Sequence, residues 1–367
     1  MKLETQKFLR ETPNGIEELK SRFAIDCKRH GEYPQLCLFK YNQIDSPFKE
    51  PIVQEARGII LDESDNWNVV AMGFKKIHNQ SESLAANIDW LTAEVQEKID
   101  GSLILLYHYD NKWHIATSGT PDASGEVNGF GKTFKELFWE TVKAQKATIE
   151  FLGPSYTWIF ELTTPFNRVV VDHKDCKIWL LGARDNTTLQ ELTPNMLGLG
   201  HKLNTPCPKS FPLHSIEDCV KAAEALNPLE HEGYVVVDAN FNRVKIKSPA
   251  YVMLHHAKDS LSKKRMCEII RKGEASEFGL ALNSFPELRK IFDEIFELDA
   301  NCRFTAFMAY QSIKHIENQK EFALEATKYP FASILFQMRK TGASAAQCLT
   351  SPKLSLGAYM KLIGITE

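Results

Sequence analysis

The hydrophobic period of the chain changes once, near residue 255, and that change limits the fold more than any other feature. Before it, short runs rich in β-branched and aromatic residues recur between turn residues. They are Leu103 to Tyr107, Thr157 to Phe160, Val169 to Val171, Ile178 to Leu181 and Tyr234 to Val237. Two stretches at helical spacing interrupt them. One runs from Thr133 to Ala147, with Phe134, Leu137, Phe138 and Val142 on one face, and the other from Ile216 to Leu226. After residue 255 helical spacing dominates. Ser284 and Pro286 stand in cap order before a stripe of Leu288, Ile291, Phe292, Ile295 and Phe296. Further stripes lie around Phe304–Ile316, at Ile334–Met338 and near the C-terminus. The pattern predicts an α+β domain over residues 1–254 and an all-α domain over 255–367. At 367 residues the chain is long enough for two cores.

Composition excludes several classes. With 43% hydrophobic and 25% charged residues the chain is neither disordered nor fibrous. No apolar run approaches the ~18 residues of a membrane span. The start, Met1-Lys2-Leu3-Glu4, has no apolar signal core, so a cytoplasmic protein with no membrane partner is expected. None of the eight cysteines forms a Cys-x-x-Cys pair, which removes zinc-ribbon and thioredoxin readings and suggests reduced, mostly buried thiols. The net charge is -3, but residues 256–367 carry +3 and leave -6 to the rest. The densest basic cluster, Lys258, Lys263, Lys264, Arg265, Arg271 and Lys272, reads either as a solvated helix face or as a phosphate-contacting edge.

Three signals imitate chemistry. Gly125 to Thr133 looks like a phosphate-binding loop, but Glu126 breaks the glycine spacing and no strand precedes it. It reads better as the cap of the Thr133 helix. Gly198-Leu199-Gly200 lacks a third glycine, and His255-His256 has no ligand-type residue at metal spacing.

Charges embedded in apolar strands are more informative. Lys98 stands in Lys98-Ile99-Asp100-Gly101, just before the strand at Leu103. A lysine there must be paired or desolvated. Desolvation and nearby cations favour the neutral amine, which is a nucleophile. Gly101 lets backbone approach a ligand closely. Glu161 interrupts Trp158, Ile159, Phe160 and Leu162, and needs a partner such as a ribose hydroxyl or a hydrated metal. Glu232-Gly233 opens the strand Tyr234 to Val237, and Arg57-Gly58 precedes Ile59-Ile60. Lys245 and Lys247 lie two apart, hence on one strand face, where an anion would relieve their repulsion.

This ordered set resembles the covalent nucleotidyltransferases: polynucleotide ligases and mRNA capping enzymes. The matching segments are Lys98 to Gly101, Phe160-Glu161, Lys177 to Arg184, Glu232-Gly233 and Lys245 to Lys247. The chain is most similar to the T-even phage RNA ligase 1 family, through Phe39 to Asn42, Ala56 to Ile59, Lys76 before Asn79, Pro165 to Val169, Lys245 to Ser248, Tyr251-Val252 and Leu254-His255. The likeness spans residues 35 to 260; beyond it only scattered residues such as Ser260-Leu261 agree.

The resemblance implies a nucleotidyltransferase domain of antiparallel sheets flanked by helices. It implies ATP and Mg²⁺, with Mn²⁺ as a substitute. Lys98 would form lysyl-AMP, and the AMP would pass to an RNA 5′-phosphate that a 3′-hydroxyl then displaces. Glu161 would hold the ribose, and Arg57, Lys76, Lys245 and Lys247 the phosphates. Gly101 and Gly233 would line the pocket, while Asp100 and Glu232 would orient the metal. Cleaved tRNA would be the substrate, contacted through Lys258, Lys263, Lys264 and Arg265 by a monomeric enzyme, in the host cytoplasm if phage-encoded. One departure stands out: family members carry a basic residue near the glycine of the segment Thr117-Ser118-Gly119-Thr120, where this chain has none. A phosphate contact would then be missing or come from elsewhere. Two other readings remain at this stage: a ligase for DNA or another polynucleotide, and a catalytically silent, ATP-sensing nucleic-acid-binding relative.

Overall fold

The computed structural model describes residues 3–198, 200–256, 262–284 and 286–365. Its strands, in chain order, are β1 (Ile25–Arg29), β2 (Leu36–Tyr41), β3 (Arg57–Asp62), β4 (Asn68–Ala71), β5 (His78–Asn79), β6 (Glu94–Lys98) and β7 (Ser102–Tyr109). There follow β8 (Lys112–Thr117), β9 (Tyr156–Thr163), β10 (Lys177–Asp185), β11 (Glu191–Leu192), β12 (Ser210–Phe211), β13 (Gly233–Val237) and β14 (Arg243–Lys247). They form three sheets, ordered β1-β2-β3-β4, β11-β10-β9-β7-β8 and β12-β6-β13-β14-β5. All pairings are antiparallel except β14 with the two-residue β5, which is parallel.

Strand alternation decides what each sheet covers. Ile104, Leu106, Phe160, Leu162, Ile178 and Leu180 leave one face of the β7–β11 sheet and bury against the helix Phe134–Gln145. Thr133 caps that helix in a reciprocal box with Glu136. On the opposite face, Leu105, Tyr107 and Ile159 meet Leu38, Ile60 and Ala71 of the first sheet. The third sheet buries Val95, Tyr234, Val236, Val244 and Ile246 on the side of the helix Ile216–Glu224. Its other face is left for Gln96, Lys98, Lys245 and Lys247.

The chain divides into two compact units, residues 1–42 with 46–251 and residues 43–45 with 252–367. The expected boundary of 254/255 is three residues later and omits Gln43–Asp45. That segment joins the helical unit beside Gly273, whose Cβ position is 3.5 Å from the Gln43 carbonyl oxygen, a long-range contact with no local signal. In the helical unit one helix, Pro286–Ile313, replaces the two expected stripes. Its buried positions Phe292, Ile295, Asp299, Cys302, Ala306, Ala309 and Ile313 follow alternating three- and four-residue steps, a packing seam. Phe296, expected inside, is 46% exposed because it falls outside that seam. No helix among the described residues is long and apolar enough to cross a membrane, and all eight cysteines are free thiols.

Val169–Val171 is not a strand. These residues form a loop whose Val170 and Val171 amides donate to the Asp100 carboxylate at 3.0 and 2.8 Å. A β-branched run reports burial, and here the burial is that of a loop wrapped around a carboxylate.

Gly101 carries the chain from β6 into β7, in another sheet. A Cβ there would lie 2.4 Å from the Leu162 carbonyl oxygen, inside contact distance of backbone that cannot swing away. Gly101→Ala is expected to cost roughly 1–3 kcal/mol or more, seen as a lower urea midpoint at unchanged m-value; a wild-type midpoint would contradict the assignment.

Candidate active site

Three neighbouring strands put two lysines and a glycine in one row. Gly233 of β13 is the register partner of Lys98 on β6 and of Lys247 on β14. Without a side chain between them, both lysines reach the same carboxylate. Lys98 Nζ donates to Glu232 Oε2 at 2.6 Å, and Lys247 Nζ lies 3.1 Å from Glu232 Oε1. The Glu232 side chain is only 4% exposed. Gly233 cannot be replaced there, since a Cβ would meet the Ile246 carbonyl oxygen at 2.1 Å with φ at +150°.

Lys98 and Lys247 form part of one wall of a cleft of about 300 Å³, while Glu232 and Gly233, expected in the pocket, are not in its lining. Gln96, Val235, Lys245 and Arg243 extend that wall, while Leu103, Glu161 and Leu181 of the β7–β11 sheet face it. Arg57, Phe74, Ile77, Glu97, Ile99, Gly101 and Pro208 complete the lining. Glu161 is cross-strand to Leu103 and Trp179. Burial raises its carboxyl from 4.5 to about 8; Lys98 opposes the shift and Glu232 adds to it.

Arg243 was not among the expected site residues. The signal was present, because position 243 shares its strand face with Lys245 and Lys247 by period two. Its guanidinium lies over the Phe74 ring, 4.3 Å from the centroid. It pairs with Glu191 Oε2 at 2.5 Å, and the other oxygen of Glu191 binds Arg184. Glu191 and Arg184 belong to one sheet and Arg243 to the other, so this carboxylate fastens the two walls of the cleft.

The remaining expected residues fall in different places. Asp100 is buried, with Oδ2 accepting from the two valine amides and Oδ1 from the Tyr251 hydroxyl at 2.7 Å. This arrangement fixes the turn after Lys98. Lys76 lies outside the lining, with its ammonium 4.0 Å from the Phe48 ring centroid and 5.2 Å from that of Tyr41. Burial depresses its pKa. In the helical unit, Lys263 and Lys264 are exposed at the start of the helix Lys263–Arg271. Arg265 instead binds Glu268 and the His256 carbonyl, and Arg271 binds the carbonyls of Ser351 and Leu354. Lys258, with Ser260 and Leu261, lies outside the described residues, as does Leu199. His256 packs edge-on against Phe278. Among the described residues no three His, Cys, Asp or Glu side chains are grouped to hold a metal.

The arrangement is a polyanion-sized cleft with an amine at its floor and a carboxylate beside that amine. The chain belongs to the RNA ligase family, whose model matches residues 55–251. It is 30% identical over 312 residues to an Autographa californica nuclear polyhedrosis virus protein provisionally named bifunctional polynucleotide kinase/RNA ligase. That match covers 79% of this chain and 43% of the viral protein. The chain is 28% identical over 331 residues to an RNA ligase of Rhodothermus phage RM378, covering 74% of each. Among solved structures, an archaeal ATP-dependent RNA ligase aligns with a TM-score of 0.47 at 15% identity, over 79% of this chain and 78% of the other.

Ionising Glu161 inside the cleft opposes folding. The folded form keeps its proton between pH 4.5 and about 8 while the unfolded chain loses it. Stability is therefore expected to fall with pH across that window and level off above it. Thermal melts of wild type and Glu161→Gln over this range measure it: the wild-type melting temperature should decline relative to the variant's, and parallel curves would refute the assignment.

Proposed function

We propose that the chain is an ATP-dependent RNA ligase that joins a 5′-phosphate to a 3′-hydroxyl. The observation that carries this reading is the Lys98–Glu232 contact at 2.6 Å on the floor of a cationic cleft. Glu232 takes a proton from the Lys98 ammonium. The neutral amine then attacks the α-phosphorus of ATP, an N–P bond forms, and the bond to the bridging oxygen breaks to release pyrophosphate. A 5′-phosphate oxygen of the RNA next attacks the lysine-bound phosphorus, and the P–N bond breaks with return of the proton to the amine. Finally the 3′-hydroxyl attacks the 5′-phosphorus and loses its proton to water, an O–P bond forms, and the phosphoanhydride bond breaks to release AMP.

Arg57, Lys245 and Lys247 balance the phosphate charge, and Arg243 adds a cation that does not deprotonate at working pH. Glu161, protonated at neutral pH, is able to donate as well as accept a hydrogen bond at a ribose hydroxyl. A divalent metal fits this site in a limited way. Both Asp100 oxygens accept hydrogen bonds and both Glu232 oxygens meet lysines, so these two carboxylates would orient, through water, a Mg²⁺ held chiefly by ATP phosphates. Such an ion would neutralise charge on the phosphates.

We further infer a substrate of cleaved tRNA, a monomeric enzyme and action in a host cytoplasm, on the strength of the phage relative and the exposed Lys263 and Lys264.

The mass of the intact protein after incubation with ATP and Mg²⁺ tests the mechanism. Wild type should gain one AMP and Lys98→Ala none; no adduct on wild type stripped with pyrophosphate and reloaded would overturn it. For the tRNA reading, Lys263→Glu with Lys264→Glu should lower sealing of nicked tRNA about tenfold, as expected for two lost phosphate contacts. AMP loading of that variant should stay intact. Unchanged sealing would remove these lysines from the RNA surface.

A further inference from the structure

Lys40 is the exposed residue near the end of β2, after four buried positions, and is the register partner of Arg57 on β3. Two cations directly across a strand pair repel. Among the described residues no carboxylate forms an ion pair with Lys40. Asp26, its partner on β1, is held by Lys20 at 3.1 Å. Partial burial, then Lys28 and Arg57, press the Lys40 pKa down, and no acid opposes them.

The ammonium also has a defined place. It lies 3.5 Å from the position that a Cβ on Gly119 would occupy, against the turn Thr117–Thr120. That turn is tied by the Thr117 and Thr120 hydroxyls at 2.9 Å and by the Thr120 amide donating to Thr117 Oγ1 at 3.1 Å. Gly58 lets β3 run directly beneath it: with φ at +88°, its Cβ position would be 3.0 Å from the Ser118 Cα. Strand and turn thus hold Lys40 beside Arg57, which lines the cleft of Lys98.

We propose that Lys40, with Arg57 and the Ser118–Thr120 turn, forms a phosphate subsite that extends the cleft beyond Lys245 and Lys247. Its ligand is a phosphate oxyanion, which two parts of the substrates offer: the polyphosphate tail of ATP and the terminal 5′-phosphate of RNA. The assignment rests on the ligase reading for its substrates but not for its binding chemistry.

The test uses binding and needs no turnover. Calorimetry on wild type, Lys40→Met and Lys40→Arg would use inorganic pyrophosphate and a matched pair of oligoribonucleotides with 5′-phosphate or 5′-hydroxyl ends. Lys40→Met keeps the alkyl stem and should melt like wild type. A loss of about tenfold in pyrophosphate affinity, equivalent to ~1.4 kcal/mol and restored by Lys40→Arg, would assign the subsite to the ATP tail. Loss of the preference for the 5′-phosphate oligonucleotide would assign it to the RNA end. If neither affinity moves in Lys40→Met, the subsite does not exist. A wild type that forms no AMP adduct, yet binds pyrophosphate through Lys40, would refute the ligase reading and leave the subsite standing.

Discussion

The shared carboxylate of Glu232 is the contact on which the site depends. Two ammoniums converge on it because Gly233, between them in the sheet, has no side chain to keep them apart. Both lysines line the cleft with Arg57, Arg243 and Lys245 beside them, and like charges so close repel in an empty cleft. Phosphate groups would relieve it. The same charge excess that costs the free protein stability therefore becomes affinity for the ligand.

The sheets are arranged to protect this balance. Each uses period two to give one face to a core and the other to the cleft or a neighbouring sheet. Asp100 illustrates the support behind the first row. It is buried, accepts three hydrogen bonds, and fixes the turn from which Lys98 projects. Removing its charge would loosen that turn.

Much of this was readable from the chain. Strands β7, β9, β10 and β13 follow from their β-branched and aromatic runs, and the capped helix after Thr133 from its spacing. Lys98, Glu161, Glu232, Lys245 and Lys247 stand out because charge inside apolar strands demands a partner, and the fold brings four of them to one cleft with Glu232 paired to two of its lysines. What was not readable depended on partners distant in sequence. The valine run at 169–171 looked like a strand, because local composition cannot report that its amides serve a carboxylate seventy residues away. Arg243 shared the period of the two lysines, yet its meaning required Glu191. Lys40 required the turn at Gly119, and the single long seam of the helix Pro286–Ile313 required packing partners that periodicity alone does not name.

The pairing of Glu191 with Arg184 and Arg243 bears on how such a chain can change over time. The three positions form one electrostatic unit, although they lie on three strands of two sheets. Losing the acid would strand two buried guanidiniums, and losing one arginine would loosen one wall of the cleft from the other. A single substitution at any of the three is thus expected to cost stability that a concerted exchange of the set would not. The width of the cleft is inherited as one trait rather than three.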